Sequence, residues 1–231
     1  MSTVHIQRIL LVAGMLLRQS RILLLLLLVW PLALCAILLA ADHGKPSSED
    51  VSAILQQELF YGLALIGLGA SVALGTEQRA HRTQQVLSRA VGRAEYLLAL
   101  GLSAYLPFAG YVAVWALSAA SFAVLLKTPM PLSAIVAELA AGLLLCASGL
   151  FFSVVFAQLI ATACTGAVLA LLILAGTHGI GGPAGLFGWL ADQQTGSPLA
   201  VALQSAEVLV LAAGVCAAAC TVFARKDLQL H

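Results

Sequence analysis

Six apolar runs, at about 21–41, 58–76, 96–126, 133–157, 162–178 and 204–224, take up most of this 231-residue chain. A helix needs roughly 20 predominantly apolar residues to cross the hydrocarbon of a bilayer. A helix also satisfies its own backbone hydrogen bonds where no water is available. The residues between the runs do not supply a soluble surface: 61% of the chain is hydrophobic and only 9% charged, against about 25% charge in a soluble domain. The sequence therefore predicts an all-α polytopic membrane protein, one transmembrane domain over residues 1–231 with six spans. The net charge of +1 carries no signal for nucleic acid, so what matters is where the charges fall.

They fall unevenly. With the N-terminus inside, inner segments hold Arg8, Arg18, Arg21, Arg79, Arg82, Arg89, Arg93, Arg225 and Lys226, and outer segments only Lys45 and Lys127. This asymmetry satisfies the positive-inside rule with both termini cytoplasmic; an odd span count scatters it. The first run, LLLLLLVWPLALCAILLAA after Arg18 and Arg21, resembles a signal-peptide core but is long enough to span, and Leu34 spoils a lipobox at Cys35. It is expected to be a retained span in the inner cell membrane. The third run is longer than a bilayer requires, so it should tilt, kink near Pro107 or protrude. The fourth and fifth are divided only weakly, around QLIATAC. Residues 1–20 read as a cytoplasmic interfacial helix on membrane lipid. Residues 178–203, Gly-rich and interrupted by Pro183 and Pro198, read as an outer re-entrant element sheltered by protein.

Ionisable residues narrow the function. Glu58, Glu138 and Glu207 are placed near the outer ends of spans two, four and six, either as boundary residues reaching water or as an outer gate. None is placed near mid-span, where ion-coupled transporters keep their relays; this argues against a self-powered transporter. An intramembrane serine protease needs a serine and a histidine within hydrogen-bond reach. Ser148 and His178 are the available pair, but Cys146 stands where rhomboid proteases carry glycine, and the sixth span has no histidine. No phosphate-binding GxxxxGK[ST] string occurs, so any ATP hydrolysis must belong to another chain. Cys35, Cys146, Cys164, Cys216 and Cys220 all lie in apolar runs, which is no disulfide framework. Cys216 and Cys220, one turn apart, could take a soft metal or simply be small residues at a helix contact. No metal or cofactor is expected on this chain.

Residues 77–96, EQRAHRTQQVLSRAVGRAEY, interrupt the apolar chain with four arginines and two glutamates. Taken as a helix with Arg79 at zero, Arg82, Arg89 and Arg93 fall at about 300°, 280° and 320°, so all four arginines share one stripe. Ala80, Thr83, Leu87, Ala90, Val91 and Ala94 cover a small apolar face at roughly 20° to 120°. Gly92 should break the helix near its end. A basic loop touching anionic lipid accounts for the arginines; a groove on a partner protein accounts for the small apolar face as well.

The segment TEQRAHRTQQVLSRAVGRAEYLL resembles the stretch after the second span in type-two ABC exporter permeases. The match runs through Glu77, Arg79, Thr83, Leu87, Ser88, Arg93, Glu95, Tyr96, Leu97 and Leu98, with Ala90 in place of a usual proline and Leu100 in place of a common lysine. The ending FARKDL, Phe223 to Leu228, also resembles that family's usual ending. The resemblance implies a membrane subunit that pairs with a second permease copy or paralogue and with two ABC ATPase subunits that bind ATP and Mg. Residues 77–95 would be the coupling helix, with Glu77, Arg79, Arg82, Thr83, Val86, Leu87, Ser88 and Arg89 meeting the ATPase. Spans one, two and five would line the path, with Trp30, Phe60 and Tyr61 as cargo contacts. The short length is similar to the haem-export permease of cytochrome c maturation, a minor option. A membrane module that anchors a soluble partner without transport is the alternative from another class.

Overall fold

The computed structural model describes residues 3–19, 29, 30, 32–34, 36, 37, 40, 47–79, 91–127, 132–191 and 197–225. Among these the secondary structure is entirely helical. In chain order it comprises α1 (Thr3–Gln19), α2 (Ser48–Arg79), α3 (Arg93–Leu126), α4 (Leu132–Val155), α5 (Gln158–Thr177), α6 (Pro183–Ala191) and α7 (Pro198–Arg225). Five of them, α2, α3, α4, α5 and α7, are long and apolar enough to cross a membrane, the architecture of a multi-pass membrane protein. The first expected span is represented only by helical residues 29, 30, 32–34, 36, 37 and 40; the other residues of 21–41 lie outside the described residues.

Hydropathy located these helices but set their ends short. Span two, expected from 58, begins ten residues earlier at Ser48. The side chain of Ser47 accepts the Asp50 N–H at 3.1 Å and donates to its carboxylate; Glu49 and Asp50 supply negative charge to the first turn, where the helix dipole favours it. A polar cap carries the helix beyond the apolar run. Replacing Ser47 by alanine removes both bonds and is expected to cost about 1 kcal/mol, read as a lower thermal midpoint of the purified protein. Likewise α7 starts at Pro198 rather than 204, with the Ala200 N–H on the Ser197 hydroxyl at 3.2 Å. The fourth and fifth spans part at Phe156 and Ala157, ahead of QLIATAC, so Gln158 opens α5 instead of ending a loop. The third helix passes through Pro107 without interruption. At 34 residues it is about 51 Å long, well beyond the hydrocarbon thickness.

The bundle is organised around α4, which packs against α2, α3, α5, α6 and α7. Its inward surface is rich in small residues, Ala134, Ala137, Ala140, Ala141, Gly142, Ala147 and Gly149 among them, all buried, and small surfaces let helices approach closely where apolar lipid offers no hydrophobic drive. A Cβ on Gly149 would stand 2.9 Å from the Gly67 oxygen of α2, and one on Gly142 would enter the Phe108 ring of α3. Beyond α5 the chain turns on Gly179 and Gly182, both at positive φ, into α6. This nine-residue helix is buried through Ala184, Leu186, Phe187, Trp189 and Leu190 and touches α2, α4, α5 and α7. Shelter on this scale is what a broken segment needs in an apolar medium. The expected element at 178–203 is thus shorter, since 198–203 belong to α7.

Candidate functional site

The contacts sort the helix ends into two groups. One end of the bundle, here the basic end, gathers the last turn of α2, the first turn of α3, the end of α7 and helix α1. There Glu95 accepts the Gly92 N–H at 3.0 Å, fixing the start of α3, while His5 of α1 pairs with the same carboxylate. The Arg93 guanidinium donates to the Ala224 carbonyl of α7 at 3.2 Å. Three segments far apart in sequence are therefore tied together at the point where the charged interruption enters and leaves the bundle. Glu77, in the last turn of α2, is buried; Arg79 ends that helix. Arg82, Thr83, Val86, Leu87, Ser88 and Arg89 lie outside the described residues. Gly92 is extended and stands just before α3; the helix it was expected to break lies outside the described residues.

From Glu77 a cleft of about 310 Å³ runs between α2 and α3, with Leu16 of α1 at its rim. Its walls are Leu65, Ile66, Val72, Leu100, Ala104 and Phe108, and Gly62, Pro107 and Tyr111 line the end away from Glu77. This volume is at the lower end for a small-molecule site. The cargo candidates stand elsewhere. Trp30 and Tyr61 meet with ring centroids 5.8 Å apart, both partly exposed on the outer surface of α2, and Phe60 packs at the edge of the core.

Near the Gly62 end of the cleft lie two of the three glutamates. Glu58 and Glu138 are 1% and 0% exposed, so neither reaches headgroups or water as boundary residues would. The reason is the polar extension of α2: Glu58 is a full ten residues inside that helix, roughly 15 Å from its start, and α4 presses Glu138 against its face. None of their four carboxyl oxygens has a hydrogen-bond partner. Glu207 remains exposed on α7, with its carboxylate near Gly182.

Around the two acids are residues the sequence did not single out. Tyr111 donates to the Glu58 carbonyl at 2.8 Å, Trp115 to the Leu55 carbonyl at 3.0 Å, and Tyr105 to the Leu139 carbonyl at 2.9 Å. Gly62 lets Tyr111 and Glu138 crowd the α2 backbone: its Cβ would sit 2.7 Å from the tyrosine ring and 3.4 Å from Oε1 of Glu138. The repeated four-residue spacings, Glu58 to Gly62 and Tyr111 to Trp115, were the available signal. Each pair shares a helix face.

Other candidates separate. Ser148 lies toward the basic end of α4, whereas His178 caps the opposite end of α5, roughly 20 Å away along the bundle by helical rise. Cys216 and Cys146 border an apolar pocket of about 280 Å³ between α3, α4 and α7. No group of three metal-ligating side chains occurs among the described residues. No family model, curated protein or solved structure matches this chain.

Proposed function

We propose that this chain is the membrane-spanning permease subunit of an ATP-driven exporter of the type-two ABC class, in the inner cell membrane, with its basic end and both termini cytoplasmic. The observation that carries the reading is the junction at that end. The segment that resembles a coupling helix leaves α2 at Glu77 and Arg79 and rejoins α3 at Arg93 and Glu95. Its exit is fastened to α1 through His5 and to α7 through the Ala224 carbonyl. A push on residues 80–90 would therefore be delivered to α1, α2, α3 and α7 together. The apolar cleft between α2 and α3 reaches Glu77 at the same junction.

In this reading ATP and Mg are bound by separate ATPase subunits, and closure of that pair drives the coupling segments of two permease copies, or of a paralogous pair. The exposed apolar side chains of α5 and α7, among them Leu159, Leu171, Leu203 and Val210, face lipid or the second permease. A soluble ATPase with a phosphate-binding loop should copurify with the chain. Changing Arg82, Leu87 and Ser88 together to alanine should weaken that association at least about tenfold, or about 1.4 kcal/mol, while the variant still purifies as a monodisperse membrane protein. ATPase binding unchanged by the triple substitution would sink the coupling role. A copurifying partner without ATPase activity would favour the anchoring module instead.

A further inference from the structure

We propose that the Gly62 end of the α2–α3 cleft is a binding site for an amphipathic organic cation, its ammonium head on the carboxylates of Glu58 and Glu138 and its apolar body in the cleft. Intramembrane acids are costly and mark functional positions unless paired, and these two lie on contacting helices, with Glu138 beside Gly62, one turn from Glu58 on α2. Both are fully buried, and all four oxygens lack a hydrogen-bond partner. Neither forms an ion pair with any Lys or Arg among the described residues.

A structural role would have used the donors close by. Instead the hydroxyls of Tyr111 and Tyr105 and the indole of Trp115 are all turned to backbone carbonyls. The neighbourhood holds four acceptor oxygens and has already committed its donors. An ammonium group carries three donors and the compensating charge. The aromatic rings present at the same place, Tyr111 and Phe108, also favour a cation at their faces.

Access runs through Gly62. It lines the cleft, and Oε1 of Glu138 stands 3.4 Å from the place its Cβ would occupy. Glycine puts no side chain of its own between the cleft and this carboxylate, and the Tyr111 ring, 2.7 Å from the same point, is the neighbour that must shift for a head group to pass. The apolar walls and the volume of about 310 Å³ suit a body the size of a phenylalkyl chain, and the charge of the site selects the amine over a neutral compound of the same shape.

The test uses the purified chain in lipid nanodiscs, without any ATPase, so its failure leaves the exporter proposal standing. Equilibrium dialysis against empty nanodiscs compares 4-phenylbutylamine, charged at neutral pH, with 4-phenylbutanol. The expected result is saturable amine binding at least about tenfold tighter than the alcohol, falling to the alcohol's level in the Glu58→Gln/Glu138→Gln variant. Equal binding of amine and alcohol by the unmodified chain overturns the site and needs no variant. So does an amine preference that survives both substitutions, since the cation is then held elsewhere.

Discussion

Gly176→Val should unfold the α5–α6 corner and lower the stability of the whole chain by roughly 3 kcal/mol or more, the upper range of overpacking. A Cβ at Gly176 would lie 2.2 Å from the Gly188 nitrogen and 2.5 Å from the Ala184 oxygen, and one at Gly188 would lie 2.4 Å from the Gly176 oxygen. Backbone meets backbone on both sides, so no flexible side chain can yield. Relief requires α6 to leave α5, and α6 is also held by the Gln56 amide on the Ala191 carbonyl. Gly166→Val on the same α5 helix is the matched control. Nothing lies within 4 Å of the Cβ it would add, and losing a helical glycine is neutral or slightly favourable. Thermal unfolding of the two variants in detergent measures the difference; coincident midpoints would mean that the glycine crossing is not tight.

The second large effect is expected at Trp115. It is fully buried on α3 and its indole bonds the Leu55 carbonyl across to α2. Trp115→Ala leaves a large cavity and should cost about 3–5 kcal/mol, a fall of about 10 °C in the thermal midpoint. Trp115→Phe keeps most of the packing and loses the hydrogen bond, so about 1 kcal/mol is expected. The graded pair separates volume from bonding. If phenylalanine is as damaging as alanine, the bond to Leu55 is what joins α2 to α3 at this level. The result also bears on the cation site, because Trp115 and Tyr111 hold the α2 stretch that presents Glu58.

Much of the architecture was legible along the chain because a bilayer-spanning helix announces itself by length and apolarity alone. The runs at 96–126 and 133–157 became α3 and α4 within a few residues. The helix ends were less legible. Ser47 and Ser197 extend α2 and α7 through polar sequence, and a hydropathy reading stops where polarity begins.

The candidate site shows the limit most clearly. The charged stretch at 77–96 could be found by composition, since its signal is local, and its resemblance to a coupling segment is a property of consecutive residues. The cluster of Glu58 and Glu138 could not. Each glutamate alone, ten residues into α2 or six residues into α4, reads as a span-end carboxylate. Only the packing of α4 on α2 buries both carboxylates, sets Glu138 beside Gly62 one turn from Glu58, and leaves the donors of Tyr105, Tyr111 and Trp115 on backbone carbonyls. Apolarity along the chain thus determined that helices form and roughly where. Which faces meet depends on small residues spaced across different helices, and that information exists only once the helices are in contact.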